Sequence, residues 1–97
     1  MKFVYSRRAL ADLDEITTYY AASASPTIAK SIERRLSHVI DRICRTPEAA
    51  PRVSQRSQVR VAAVVRYPFR IFYPVRDDTV DILHIRHTSR RPVGIGD

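Results

Sequence analysis

Apolar residues recur along this chain at two periods, and the switch between them separates a helical half from a stranded half. KFVY (residues 2–5) alternates Phe3 and Tyr5 with Lys2 and Val4, which predicts a short strand. Ser6 then stands where a hydroxyl can cap a helix. Over residues 7–22, Leu10, Leu13, Ile16 or Thr17, and Tyr20 recur at helical spacing, while Asp12, Glu15 and Tyr19 fall towards another face. Ser25-Pro26 is a strong start signal for a second helix, a capping hydroxyl followed by a proline whose missing N–H is not needed at the first helical position. Ile28, Ile32, Leu36, Val39, Ile40 and Ile43 keep the helical period until Thr46-Pro47 ends it. Two adjacent amphipathic helices with a short connection predict an antiparallel hairpin.

PEAAPRVSQRS (47–57) has two prolines and no period, and is expected to be a loop. After it the period becomes two. Val59, Val61, Ala63 and Val65 alternate with Arg60, Ala62, Val64 and Arg66, and Phe69, Ile71, Tyr73 and Val75 alternate with Arg70, Phe72, Pro74 and Arg76. RDDT (76–79) supplies a turn, and VDILHIRH (80–87), apolar on both faces, is expected to be an interior strand. The prediction is an α+β fold in the order β-α-α-β-β-β, a helical hairpin on one face of a small antiparallel sheet. Arg60, Arg66, Arg70 and Phe72 are expected on the other face, with Tyr73 packed in the core beside Ile71.

Length changes this picture little: 97 residues make one domain spanning 1–97, a size that buries only about 60–65% of the unfolded surface. A composition 44% hydrophobic and 28% charged with two glycines is that of a folded chain. No apolar run approaches the roughly 20 residues that span a bilayer. MKFVYSRRALADLDE has no continuous apolar stretch before its acidic residues, so no membrane partner and a cytoplasmic location are expected. The lone Cys44 can form no internal disulfide and reads as packing.

Charge changes the picture more. The formal net charge is +7, and the excess sits in the stranded half, where all nine cations of residues 52–97 are arginine. An acidic partner accounts for such an excess, and the planar guanidinium fork suits carboxylates and phosphates. A solvated basic surface is the plainer alternative.

HIRHTSRR (84–91) concentrates two histidines and three arginines. Along a strand, His84 and His87 point to opposite faces and cannot chelate one ion, and His38 lacks a second ligand at helical spacing, so no metal site is expected. His84 reads as a packed or hydrogen-bonded core histidine, His87 as the more exposed. No glycine-rich phosphate loop and no ordered serine, histidine and carboxylate set is present, and no cofactor is expected. Asp12, Asp14 and Glu15 read as a solvated face near the positive end of the first helix.

The ordered set of ALADLDEITTYY (Leu10, Asp12, Leu13, Ile16, Tyr19), a long proline-terminated second helix, VRV, FRIFY at 69–73, the VRDD turn and VDILHIRHTSRRP resembles the RelE/ParE superfamily of type II toxins over nearly the whole chain, and its ParE branch most. The resemblance implies a toxin silenced by a small acidic, ParD-like antitoxin. ParE-like members resemble inhibitors of DNA gyrase that act by protein contact, whereas RelE-like members cut messenger RNA in the ribosome. For the second chemistry Arg70 and Arg90 match two arginines, and His87 is the residue able to move a proton. The paired lysines of the preceding strand are replaced by Arg60, Ala62 and Ala63, and no tyrosine follows Arg91. The favoured expectation is therefore a non-enzymatic gyrase inhibitor, with RNA cleavage by Arg70, His87 and Arg90 as the alternative. A plain basic nucleic-acid-binding module is a third class. The antitoxin is expected on Arg60, Arg66, Arg70 and Phe72, and the target on His87, Arg90 and Arg91.

Overall fold

The structure, a computed structural model, describes residues 1–88. Its elements are β1 (Lys2–Tyr5), α1 (Arg7–Ser23), α2 (Pro26–Arg45), β2 (Arg52–Val53), β3 (Arg56–Val64), β4 (Phe69–Tyr73), β5 (Val75–Arg76), β6 (Thr79–Ile82) and β7 (His84–His87). Both helix starts form as the sequence indicates: the Ser6 hydroxyl accepts from the Ala9 N–H at 2.9 Å and the Ser25 hydroxyl from the Ile28 N–H at 3.1 Å. The 47–57 segment is not wholly a loop, because Arg52–Val53 pairs with β3 and β3 already begins at Arg56.

The strands fall into two groups, ordered β2-β3-β4-β7 and β1-β6-β5, all antiparallel except the parallel pair β1 and β6. A one-residue irregularity separates them. Arg76 faces Thr79 and Val75 faces Val80, so an unbroken register would set Leu83 opposite Phe72; instead His84 is there. The Leu83 N–H donates to the Phe72 carbonyl at 2.9 Å, so Leu83 and His84 both lie opposite Phe72 and form a β-bulge. Pro74, which has no N–H to give the ladder, lies at the same break and lends only its carbonyl, to the Asp81 N–H at 3.0 Å. The bulge inverts the alternation: Val80 and Ile82 are buried before it and Ile85 after it. VDILHIRH is thus apolar at both parities because its phase flips at Leu83, not because it is interior throughout. Its second half, β7, is an edge strand.

α2 lays Ile32, Leu36, Val39, Ile40 and Ile43 on Ala62, Val64, Phe69, Ile71, Tyr73, Val80, Ile82 and Ile85, forming the core, with Cys44 half-buried against it. Apolar burial of this kind, at about 25 cal/mol per Å2, is the main stabilising term. α1 contributes less. Its buried line runs through Ala9 and Asp12, with Leu13, Ile16 and Tyr20 half-buried, and Leu10 is 53% exposed. The helix is rotated from the expected stripe because it packs on α2 and along the edge strand β7 at once. No helix among the described residues is long and apolar enough to cross a membrane.

Candidate functional site

Directly opposed residues of an antiparallel pair share a face, so the register divides the expected site residues. On β4, Phe69, Ile71 and Tyr73 point to the helices and are buried, which leaves Arg70 and Phe72 on the open face. Arg70 lies opposite Arg86 and Ala63, and Phe72 opposite His84 and Val61. Arg70 and Arg86 are exposed, while Phe72 and His84 stack at 5.9 Å between ring centroids. The open face therefore carries two guanidinium groups side by side and two stacked rings beside them.

Arg60 is not among them, contrary to the alternation read for β3. It is opposite Tyr73 and so lies on the helix side, where its guanidinium donates to the Glu48 carbonyl at 3.1 Å and the Ala50 carbonyl at 2.7 Å. Tyr73 secures the same loop by donating its hydroxyl to the Pro47 carbonyl at 2.7 Å. Burial pushes the Tyr73 phenol upward in pKa against the opposing charge of Arg60. Arg66 is also displaced: it is an exposed turn residue between β3 and β4 with φ 82°, a left-handed backbone that a side chain disfavours. Its place is the sheet end, not the row of Arg70.

His87 is half-buried on the helix side, edge-on to Phe69 at 5.4 Å, and opposite Phe69 in register. Arg70 and His87 therefore emerge on opposite faces of the sheet. Arg90 and Arg91 lie outside the described residues.

What the sequence does not announce is Asp12. Only 7% exposed, it lies against the free edge of β7, where one carboxylate oxygen accepts from the Ile85 N–H at 3.0 Å and meets His84 Nδ1 at 2.6 Å. The other oxygen accepts from Arg8 Nε at 3.2 Å. Burial alone would raise the pKa of this carboxyl. It is outweighed by the hydrogen bonds from His84 and the Ile85 N–H, by the His84 charge and by Arg8, and the net direction is down. An ionised Asp12 can only accept, so Nδ1 of His84 carries the proton. Upstream, the Ser6 N–H donates to the Ile82 carbonyl and its hydroxyl to the Leu83 carbonyl, both ahead of Asp12 on the same edge. Together Ser6 and Asp12 close an edge that would otherwise present unpaired backbone groups. The expected solvated carboxylate is a structural clamp.

Chemically, the open face suits a partner bearing carboxylates and an apolar or aromatic side chain. Like charges directly across a strand pair repel, and neither Arg70 nor Arg86 has an ion pair among the described residues. Among those residues no group of three histidine, cysteine, aspartate or glutamate side chains is placed to hold a metal ion.

Residues 3–92 match the family model described as ParE toxin of type II toxin-antitoxin system, parDE. The fold is similar to a solved chain of the chromosomal ParDE toxin-antitoxin system from P. aeruginosa, with 26% identity over 92% of this chain and 97% of the other and a TM-score of 0.82. It is similar at lower level to a chain of the intact E. coli RelBE toxin-antitoxin complex (14% identity, 93% and 98% covered, TM-score 0.60) and to the isolated E. coli RelE toxin (16% identity, 95% and 88% covered, TM-score 0.59), which bear on the fold alone. No curated protein sequence matches the chain.

Proposed function

The chain belongs to the family of ParE toxins of type II toxin-antitoxin systems, and from that premise we propose that it arrests growth in the cytoplasm by protein contact with DNA gyrase. A small acidic antitoxin holds it silent by laying a carboxylate-bearing segment on the open sheet face. Arg70 and Arg86 take the carboxylates as charge-assisted hydrogen bonds, and the stacked Phe72 and His84 receive an apolar side chain. His87 and the arginines Arg90 and Arg91 remain the proposed target contacts. One observation carries the choice of a contact inhibitor over a nuclease: Arg70 and His87 stand on opposite faces of the sheet, so they cannot act together on one phosphate.

A second reading rests on His84. With Nδ1 tied to Asp12, Nε2 is the nitrogen left to exchange a proton, on the face that carries Arg70 and Arg86. Ribosome-dependent RNA cleavage would draw on this arrangement rather than on His87. The purified protein, added to gyrase and relaxed plasmid, stops supercoiling under the first reading and leaves ribosome-bound transcripts intact. Undisturbed supercoiling, with new transcript ends that vanish in His84→Gln, reverses the choice.

A further inference from the structure

We propose that the outward face of α2 is a second, separate binding surface, and that its ligand is the phosphate backbone of duplex DNA. Opposite the buried stripe, Lys30, Arg34, His38 and Arg42 follow one another at intervals of four residues, and Arg45 ends the row; all five are exposed. At 3.6 residues per turn they occupy roughly a third of the circumference, and the row is about 22 Å long at 1.5 Å per residue. Arg35 flanks it half-buried. Asp41 is the one carboxylate within that arc, and Glu33 lies towards the side of Tyr5, whose phenol is raised in pKa by burial first and by the Glu33 charge second.

The cations of this row repel one another along the helix, and none has an ion pair among the described residues. The composition of the face selects the ligand. A docked peptide draws affinity from apolar anchors seated in pockets, and from Ala29 to Arg45 no large apolar side chain is exposed. The phosphate backbone requires none, because affinity arises from the release of its condensed counterions by cations alone. The open sheet face, where rings accompany the guanidiniums, has the opposite character. A row of about 22 Å runs past about six base-pair steps at 3.4 Å each, and four cations can each neutralise a phosphate. This inference does not depend on gyrase being the target.

Fluorescence anisotropy of the full chain with a labelled duplex of about 20 base pairs tests it. Four contacts give a slope of log affinity against log salt near −3.6, which is a loss of roughly a hundredfold between about 50 and 200 mM salt. Arg34→Gln with Arg42→Gln keeps good helix formers on an exposed face and flattens the slope by about 2, while Arg70→Gln with Arg86→Gln leaves it unchanged. Circular dichroism melting verifies that both variants are folded. The proposal is overturned if the α2 variant keeps the original slope, if only the sheet-face variant loses DNA, or if no duplex binds at about 50 mM salt. It is overturned equally if the α2 variant loses polyglutamate but not duplex, which would assign the row to an acidic protein.

Discussion

Asp12 and His84 are 72 residues apart in the chain and meet at 2.6 Å across the edge of the sheet. This contact joins α1 to β7 and fixes the imidazole against Phe72, so the shape of the open face depends on a helix that does not itself lie on it. The same carboxylate satisfies the Ile85 N–H. Positioning of the ring and closure of the edge thus rest on one side chain.

Removing that carboxylate leaves a buried backbone donor unpaired. Asp12→Ala is expected to destabilise the fold by about 2–3 kcal/mol, a fall of roughly 10–20 °C in Tm for a domain of this size. Asp14→Ala, on the exposed side of the same helix, should change Tm by no more than about 2 °C. Thermal melts of the two variants decide whether Asp12 is the clamp.

Acid should release it. Asp12 has a pKa below its ordinary value in the folded chain, so the native state binds fewer protons at this site than the unfolded one. Its stabilisation is complete above about pH 4, the unfolded pKa of a carboxyl, and is lost as pH falls through the lower folded value. Urea midpoints measured from neutral pH down to about pH 2 should decline below about pH 4 in the wild type, and Asp12→Asn should show a shallower decline.

Arg60 is expected to matter for stability and not for partner binding. Arg60→Gln removes the donors that hold the Glu48 and Ala50 carbonyls, at about 1.5–3 kcal/mol for hydrogen bonds from a charged group. Chemical denaturation measures this loss. An unchanged antitoxin affinity in the same variant places Arg60 outside the interface.

Arg66 should be replaceable with gain. Its φ of 82° disfavours any side chain, so Arg66→Gly relieves about 1 kcal/mol of backbone strain and gives back part of it in unfolded-chain entropy. A net rise of about 0.5 kcal/mol, or roughly 2–4 °C, is expected in a thermal melt. Antitoxin affinity should not fall by more than about twofold.

Much of the scaffold is legible in the sequence because its signals are local. Ser6, Ser25 and Pro26 mark helix starts by chemistry that operates within three residues, and β4 alternates without interruption, which places Arg70 and Phe72 correctly. β3 is ambiguous in principle: valine and alanine occupy both parities from Val59 to Val65, so alternation cannot choose the side on which Arg60 falls. His84 reads correctly as a hydrogen-bonded histidine, but the place of Arg86 and His84 on the open face is hidden by the bulge at Leu83, which changes the phase inside a run that is apolar at every parity. Asp12 was hidden differently. A carboxylate on a helix reads as solvated unless its partners are known, and here they come from the far end of the chain.

Recognition of a carboxylate-bearing partner by the open sheet face is tested most directly by the affinity of the antitoxin for Arg70→Glu, Arg86→Glu and Arg45→Glu. The cognate antitoxin is identified beforehand as the neighbouring gene product that restores growth, and all variants are measured by calorimetry at one salt concentration. Reversal at Arg70 or at Arg86 should weaken the complex at least roughly tenfold, about 1.4 kcal/mol, while Arg45→Glu on α2 changes it by less than about twofold. Equal losses at all three positions, or none at Arg70 and Arg86, would contradict it.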